Sequence, residues 1–400
     1  MKLAYLSKLE GIGGVIKSSP EDFVVEEIMQ DGTILELNKT FNKQGEGEFV
    51  HFILQKRNWN TLQALKEIGK KLHCGIKRFS YAGMKDRNAL TTQLASAFGI
   101  DRNALLNLKI KDIQINGAWQ ANEKVKIGEL LGNRFTITIR NVSGDSGGRV
   151  KRIMEELNGL APNYFGEQRF GSIRKNTHLV GKAIVSGNFK EAVWNYLTYI
   201  DENEREEGKE ARRKLAEEED FKRALNYFPK YLKYERILLN HLSQHPNDYV
   251  NALRKLPRGL SLMFVHAYQS YLFNKTLSKR ISSGVIRRED DVMCKVDSFG
   301  FPNMNELGEE GELPVGRVIG YETKNLTEEE REILEEEGIN EKNFLIKSLP
   351  EISSKGARRC LFISLKNFSF RQNENITFKF LLPSGSYATS VMREFLDRCK

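Results

Sequence analysis

The hydrophobic period of this chain changes twice, and those changes constrain its fold more than any single motif. Asp22 to Ile28 is a β-rich run, and Phe49 to Lys56 alternates Phe49, His51 and Ile53 against Val50, Phe52 and Leu54, the period of two that marks a strand. Arg134 to Arg140 repeats the pattern, with Phe135, Ile137 and Ile139 on one face and Thr136 and Thr138 on the other. Asn60 stands where it would cap a helix carrying Leu62, Leu65, Ile68 and Leu72. After the glycine-rich turn Ser143 to Gly148 and a short helix, the period becomes helical from about Asn176 to Arg280. That stretch includes a charge-dense segment, Asp201 to Asp220, and a long amphipathic run near Leu260 to Leu277. Strands return past Arg280: Leu361 to Phe370 and Ile376 to Leu382 alternate around the polar turn Gln372 to Asn375, and a closing helix follows Ser386. Thr327 with Glu330 three residues later predicts a capping box at the head of a glutamate-rich helix, with Gly338 as its stop. The order predicts an α+β protein in which one domain is inserted into another, with a cleft between the two bodies for a large substrate.

Composition narrows the class. Four hundred residues at 40% hydrophobic content suffice for two buried cores, and no stretch nears the roughly 18 apolar residues of a membrane span. Met1 to Leu9 lacks the apolar region of a secretory signal, so a soluble, cytosolic protein is predicted. Cys74, Cys294, Cys360 and Cys399 are scattered, form no CxxC pair, and read as free thiols. His241 and His245 share metal spacing, but no glutamate lies between them and Pro246 follows, which reads as a helix end. Lys and Arg number 62 against 53 Asp and Glu, a net of +9. Glu328 to Glu341 holds eight glutamates and one arginine, so the remaining residues carry +16, an excess that suits a polyanionic partner such as nucleic acid.

Several reaction classes have no seat in the sequence. There is no GxxxxGK phosphate loop, no GxSxG elbow and no zinc ligand set, and Gly11-Ile12-Gly13-Gly14 has Ile16 where a dinucleotide fingerprint needs a small residue. The segment Tyr81 to Gln93 is the most suggestive. Asp86 lies between Lys85 and Arg87, cations that keep a carboxylate ionised as a nucleophile requires, and Gly83 is placed to turn the backbone. An exposed Lys-Asp-Arg turn with weak surface pairs is the plainer reading of the same residues. Asn163 to Gly171 packs Tyr164, Phe165, Phe170, Gln168 and Arg169 between glycines, a composition suited to stacking on unpaired bases or to a glycine-hinged joint between domains. A metal-dependent nuclease built from Glu21, Asp22, Glu26 and Glu27 is disfavoured, because these residues fall on alternating faces of a strand.

Taken in order, the motifs resemble those of the TruD family of tRNA pseudouridine synthases. They are Lys17 with Pro20 to Glu26, Gly83-x-Lys85-Asp86-x-x-Ala89-x-Thr91-x-Gln93, Gly132-Asn133-x-Phe135, and Asn163 to Gly171. His266 to Asn274, Leu313-Pro314-x-Gly316, Gly356-x-Arg358-Arg359 and Gly385 to Thr389 complete the series, which runs from residue 17 to residue 389. The resemblance implies a pseudouridine-synthase catalytic domain with a mixed or antiparallel sheet and helices, over 1–165 and 320–400, interrupted by an α-rich insertion domain over 166–319. It implies that Asp86 is the catalytic aspartate and that Lys17, Glu26, Asn133 and Phe135 contact the substrate, Phe135 by stacking on the extruded uracil. Lys85, Arg87, Tyr164, Gln168 and Arg169 would contact RNA. It further implies tRNA as partner, uridine 13 of the D arm as the usual target, no cofactor and no metal; a monomer is expected. Met84 departs from the family pattern, where a smaller or more polar residue is expected. The competing expectation is a non-catalytic RNA-binding protein or RNA chaperone with the same fold.

Overall fold

The computed structural model describes residues 2–142 and 144–396, so Met1, Ser143 and Cys399 lie outside the described residues. The chain forms two compact units. One comprises Leu6–Ala161, Val296–Asn303 and Phe362–Lys400, and the other Met1–Tyr5, Pro162–Lys295 and Met304–Leu361. Compactness therefore places 320–361 with the helices, whereas the division suggested by sequence ends the helical body at 319. The reason is apolar: Ile333, Leu334, Ile339, Phe344 and Ile346 share one buried cluster with Val180, Leu239, Phe264 and Tyr268.

The first unit is built on a mixed sheet. Its strands are β1 (Phe23–Ile28), β2 (Phe49–Arg57), β3 (Phe79–Tyr81), β4 (Leu90–Phe98), β5 (Ile113–Ala121) and β6 (Gly132–Ile139), joined by the hairpin Ser369–Gln372 and Ile376–Pro383. Across the sheet the order is hairpin, β6, β1, β4, β2, β5. β1 runs parallel to β4, pairing Val24 with Leu90, and β3 runs antiparallel to β4, pairing Tyr81 with Ala95. Leu361 to Phe370, which alternates as one strand in sequence, is two, Phe362–Ser364 and Ser369–Gln372, separated by a turn closed from Phe368 N to Leu365 O at 3.0 Å.

Helices cover one face of this sheet in two places. Helix α1 (Thr61–Lys71) is capped by Asn60, whose Oδ1 accepts from Gln63 N at 2.8 Å. Its buried positions are Thr61, Ala64, Leu65, Ile68 and Gly69, a three-four spacing that leaves Leu62 facing solvent. Ala64, Leu65 and Ile68 pack on Val50, Phe52, Leu54, Ala95 and Ala97. Helix α2 (Arg102–Leu106) buries Leu105 in the same cluster. Helix α3 (Ser146–Leu157) begins inside the expected glycine turn, because Asp145 accepts from Gly148 N at 3.0 Å and draws Ser146 to Gly148 into the first helical turn. Val150, Ile153 and Leu157 of α3, with Val391 and Met392 of the closing helix Ala388–Met392, pack on Phe135, Ile137, Ile139, Phe378 and Phe380.

The second unit is helical as its sequence period predicts, and its longest helix, Arg258–Ser282, sends Phe264, Val265, Tyr268 and Leu272 into its core. The glutamate-rich helix Glu328–Glu337 has both bonds of the capping box and ends at Gly338 with φ 69°. A small sheet that the sequence did not announce pairs Leu313–Val318 with Ala357–Cys360. It brings Cys294 and Cys360, far apart in sequence, to a sulfur separation of 3.1 Å as free thiols. Among the described residues no helix is long and apolar enough to cross a membrane.

Candidate active site

Between the two helix-covered patches, the same sheet face carries polar side chains: Glu27 of β1, Lys56 of β2 and Thr91 and Gln93 of β4, all buried. A buried polar surface is tolerated only when its hydrogen bonds are met. The connection from β3 to β4, residues 82–89, meets most of them. Gly83 O accepts from Gln93 Nε2 at 2.9 Å, Gln93 Oε1 accepts from Thr61 Oγ1 at 2.8 Å, and Thr61 Oγ1 accepts from Lys85 N at 2.9 Å. Lys85 turns its ammonium inward onto Glu27 at 2.6 Å, and Glu27 also accepts from Leu94 N at 3.0 Å. Lys56 Nζ donates to Trp59 O at 2.5 Å, to Asp86 O at 3.0 Å and to Lys85 O at 3.5 Å. Burial pushes the Lys56 ammonium down to about 7; Asp86 opposes that shift and Lys85 adds to it.

On this anchored loop the Asp86 side chain is 31% exposed, and Lys17 Nζ donates to its Oδ2 at 2.8 Å. Lys17 has φ 59°, a left-handed conformation that costs a lysine roughly 1–2 kcal/mol and that turns up where a site over-determines its geometry. Asn88 Nδ2 holds the Lys17 carbonyl at 3.2 Å, and the Lys17 ammonium lies 4.0 Å from the centroid of the Phe23 ring. Strain therefore sits at Lys17 and not at Gly83, whose φ is not positive and where an added Cβ would meet only ordinary contacts, Leu130 at 3.8 Å and Lys85 Nζ at 3.9 Å. Arg87 and Met84 are exposed.

Strand register brings two more expected residues to the same face. Asn133 lies opposite Glu27 and Phe135 opposite Val25 across the β1–β6 pair. The Asn133 Oδ1 is buried without a hydrogen-bond partner. Phe135 is 7% exposed, stacked on Phe380 at 5.6 Å and edge-on to Phe23 at 6.1 Å, so one ring face is already taken by the core.

Other expected residues stand elsewhere. Alternation along β1 sends Glu26 to the opposite face, where it takes a bidentate bond from Arg134 at 2.7 and 2.9 Å and one from Leu37 N at 3.0 Å. Lys85, expected to meet RNA, is buried on Glu27 and holds the loop instead. Tyr164, Gln168 and Arg169 belong to the helical unit. There Tyr164 is fully buried, Gln168 is exposed, and half-buried Arg169 donates from Nε to Ser270 Oγ at 3.1 Å. The nuclease reading dissolves into four separate ion pairs: Glu21 with Arg57, Asp22 with Arg140, Glu26 with Arg134 and Glu27 with Lys85.

Sequence reasoning passed over Glu27 as the partner of Lys85, and Lys56 altogether. The signal for Lys56 was present: it continues the buried alternation Phe52, Leu54, and a lysine in register with core residues needs acceptors. Chemically, a partly exposed carboxylate paired with a lysine, on a loop whose backbone is fixed from beneath, is apparatus for nucleophilic or general-base work.

Comparison with known proteins places the chain as a whole. A family model described as tRNA pseudouridine synthase D (TruD) matches residues 2–395. A Methanosarcina acetivorans protein named probable tRNA pseudouridine synthase D is 37% identical over 98% of this chain and 94% of its own length. One of the same name from Methanopyrus kandleri is 41% identical over 88% of this chain and 86% of its own. The crystal structure of a Methanosarcina mazei protein assigned as TruD superposes with a TM-score of 0.80 at 34% identity, covering 99% of this chain and 96% of that one. The chain belongs to the TruD family of tRNA pseudouridine synthases, which are isomerases.

Proposed function

We propose that this protein converts uridine 13 in the D arm of tRNA to pseudouridine, with Asp86 as nucleophile. The observation that supports it most is the Lys17–Asp86 pair, 2.8 Å apart on a loop anchored to buried groups, in a chain that matches the TruD family from residue 2 to residue 395. In pseudouridine formation the bond from uracil N1 to the ribose breaks and one from uracil C5 forms. C5 gives up its hydrogen and N1 gains one. Atoms and electrons balance within the nucleoside, so the reaction calls for no cofactor or metal.

Asp86 attacks the ribose carbon as its bond to uracil N1 breaks, the freed uracil rotates, and its C5 bonds that carbon as the bond to Asp86 breaks, which regenerates the carboxylate. Lys17 holds the carboxylate in orientation until it reacts. A base inside folded tRNA must leave its stack before an aspartate can reach it, and Phe135, next to the polar floor, supplies an aromatic surface to receive it. Asn133 supplies an acceptor: a buried amide oxygen without a partner is unfavourable by about 1–3 kcal/mol, and the N3–H of uracil satisfies it. Glu27 and Lys85 position the loop. Exposed Arg87, and Gln168 and Arg169 of the helical unit, grip the RNA, where phosphate contacts set register without reading sequence. The protein acts in the cytosol as a monomer.

Unmodified tRNA transcripts incubated with the purified protein and mapped nucleotide by nucleotide test the target. Conversion at position 13 is expected. Binding without conversion of any uridine over a broad RNA panel would move the assignment to the non-catalytic reading.

A further inference from the structure

Among the described residues Lys56 is the one lysine with no exposure at all, it lies beneath the candidate nucleophile, and all its donors are spent on main-chain carbonyls. Its Nζ reaches Trp59 O, Asp86 O and Lys85 O at 2.5, 3.0 and 3.5 Å, and its side chain has no exposure to solvent. Two of the three acceptors are the carbonyls of Asp86 and of the residue before it. The same stretch of loop is fixed again by Thr61 on Lys85 N at 2.9 Å and by Asn58 N on Ala89 O at 3.1 Å. Lys56 bonds the Asp86 carbonyl directly, and that backbone sets where the carboxylate meets Lys17.

We propose that Lys56 is a positioning residue for the reaction: its charged ammonium latches the Asp86 backbone, and the nucleophile is in register only while all three N–H bonds are made. The inference rests on the reading of Asp86 as nucleophile. An ammonium has three protons for three carbonyls. A neutral amine has two protons and a lone pair, so one carbonyl is left facing that lone pair and the latch opens on the Asp86 side.

The charged groups that act on Lys56 are Asp86 and Lys85 of the loop. Lys17 acts through its pair with Asp86 and Glu27 through its pair with Lys85, and the cross-strand neighbour on β4, Thr91, does not titrate in this range. Desolvation brings the Lys56 ammonium down to about 7 against the pull of Asp86. The protonated fraction, and with it the chemical step, falls as pH rises through that value. For a value near 7 the rate falls about tenfold from pH 6 to pH 8. Binding of tRNA does not follow that profile, because Lys56 touches no solvent.

The test measures single-turnover pseudouridine formation and tRNA binding for wild type from pH 6 to pH 8.5 and for Lys56→Met at pH 6, with circular dichroism to verify folding. A folded Lys56→Met that binds tRNA within threefold of wild type but reacts at least about 100-fold more slowly is expected, as for loss of a positioning contact. The wild-type rate is expected to fall about tenfold between pH 6 and pH 8 at constant affinity. A wild-type profile flat over that range overturns the proposal whatever the variant does, and so does a folded Lys56→Met within threefold of the wild-type rate. If Lys56→Met fails to fold, the wild-type profile alone decides. Wild type that makes no pseudouridine at pH 6 refutes instead the functional reading on which the latch rests.

Discussion

Glu27→Gln removes one charge from a pair in which neither partner reaches water. The Glu27 and Lys85 side chains are 1% and 6% exposed and their charged atoms lie 2.6 Å apart. The glutamine keeps the shape and can still accept from Leu94 N, so the change isolates the charge. It leaves the Lys85 ammonium buried without a counter-charge, and breaking a buried pair this way destabilises by about 3–5 kcal/mol. Adding Lys85→Met removes the stranded ammonium and should bring stability back to within roughly 2 kcal/mol of wild type, since apolar replacement of a whole buried pair is close to neutral. Guanidinium unfolding followed by tryptophan fluorescence reads this in a Trp194→Phe background. The remaining Trp59 and Trp119 both lie in the sheet unit. A loss below about 1 kcal/mol for Glu27→Gln, or a double variant no better than the single, would refute the claim that this pair anchors the loop.

Three further outcomes follow from the same geometry. Gly14 has φ 86°, and an added Cβ would lie 2.5 Å from Ile139 Cγ2 and 2.6 Å from Arg140 O; Gly14→Ala should destabilise the sheet unit by about 2 kcal/mol or more, read in the same unfolding assay. Thr327→Ala loses its half of the capping box and should lower the stability of the helical unit by about 1 kcal/mol, measured through Trp194 fluorescence. The Arg140 guanidinium beside Asp22 holds that carboxyl below its ordinary 3.8. A depressed carboxylate stabilises the fold above its unfolded value and loses that contribution as pH falls through the folded one. The stability gap between wild type and Asp22→Asn should therefore be full at pH 6 and close as the solution is acidified below the ordinary aspartate value; a gap independent of pH would count against the pair.

Much of the architecture was legible because it is written in apolar period. The alternation of β2 and β6, the helical middle and the Thr327 cap all appear in the structure as the sequence predicts. What stayed hidden follows from a different cause. β4 opens Leu90-Thr91-Thr92-Gln93, polar residues that break the alternation because they face the loop and segment 33–41 instead of a helix; Thr92, for example, bonds to Leu35 O. Leu62 has the right side chain at the wrong angle of α1. Within the candidate site, the aspartate could be singled out from its flanking charges, but the direction of those charges could not. Lys85 looks like Arg87 in sequence, yet one is buried on Glu27 and the other faces solvent. Glu26 and Glu27 differ by one position, which on a strand is the difference between two faces of a sheet.

The central claim is that Asp86 makes the bond to the nucleoside, and loss of the C5 hydrogen, which follows only once the detached uracil has rejoined through carbon, reports the turnover that this attack must start. A tRNA transcript labelled with tritium at uridine C5 is incubated with wild type and with Asp86→Asn in excess over RNA, with binding measured in parallel. The account predicts tritium release by wild type and none by Asp86→Asn, at affinities within about threefold of each other, because a neutral amide keeps the shape of the site and lacks the nucleophile. Tritium release by Asp86→Asn at a rate near wild type would contradict it.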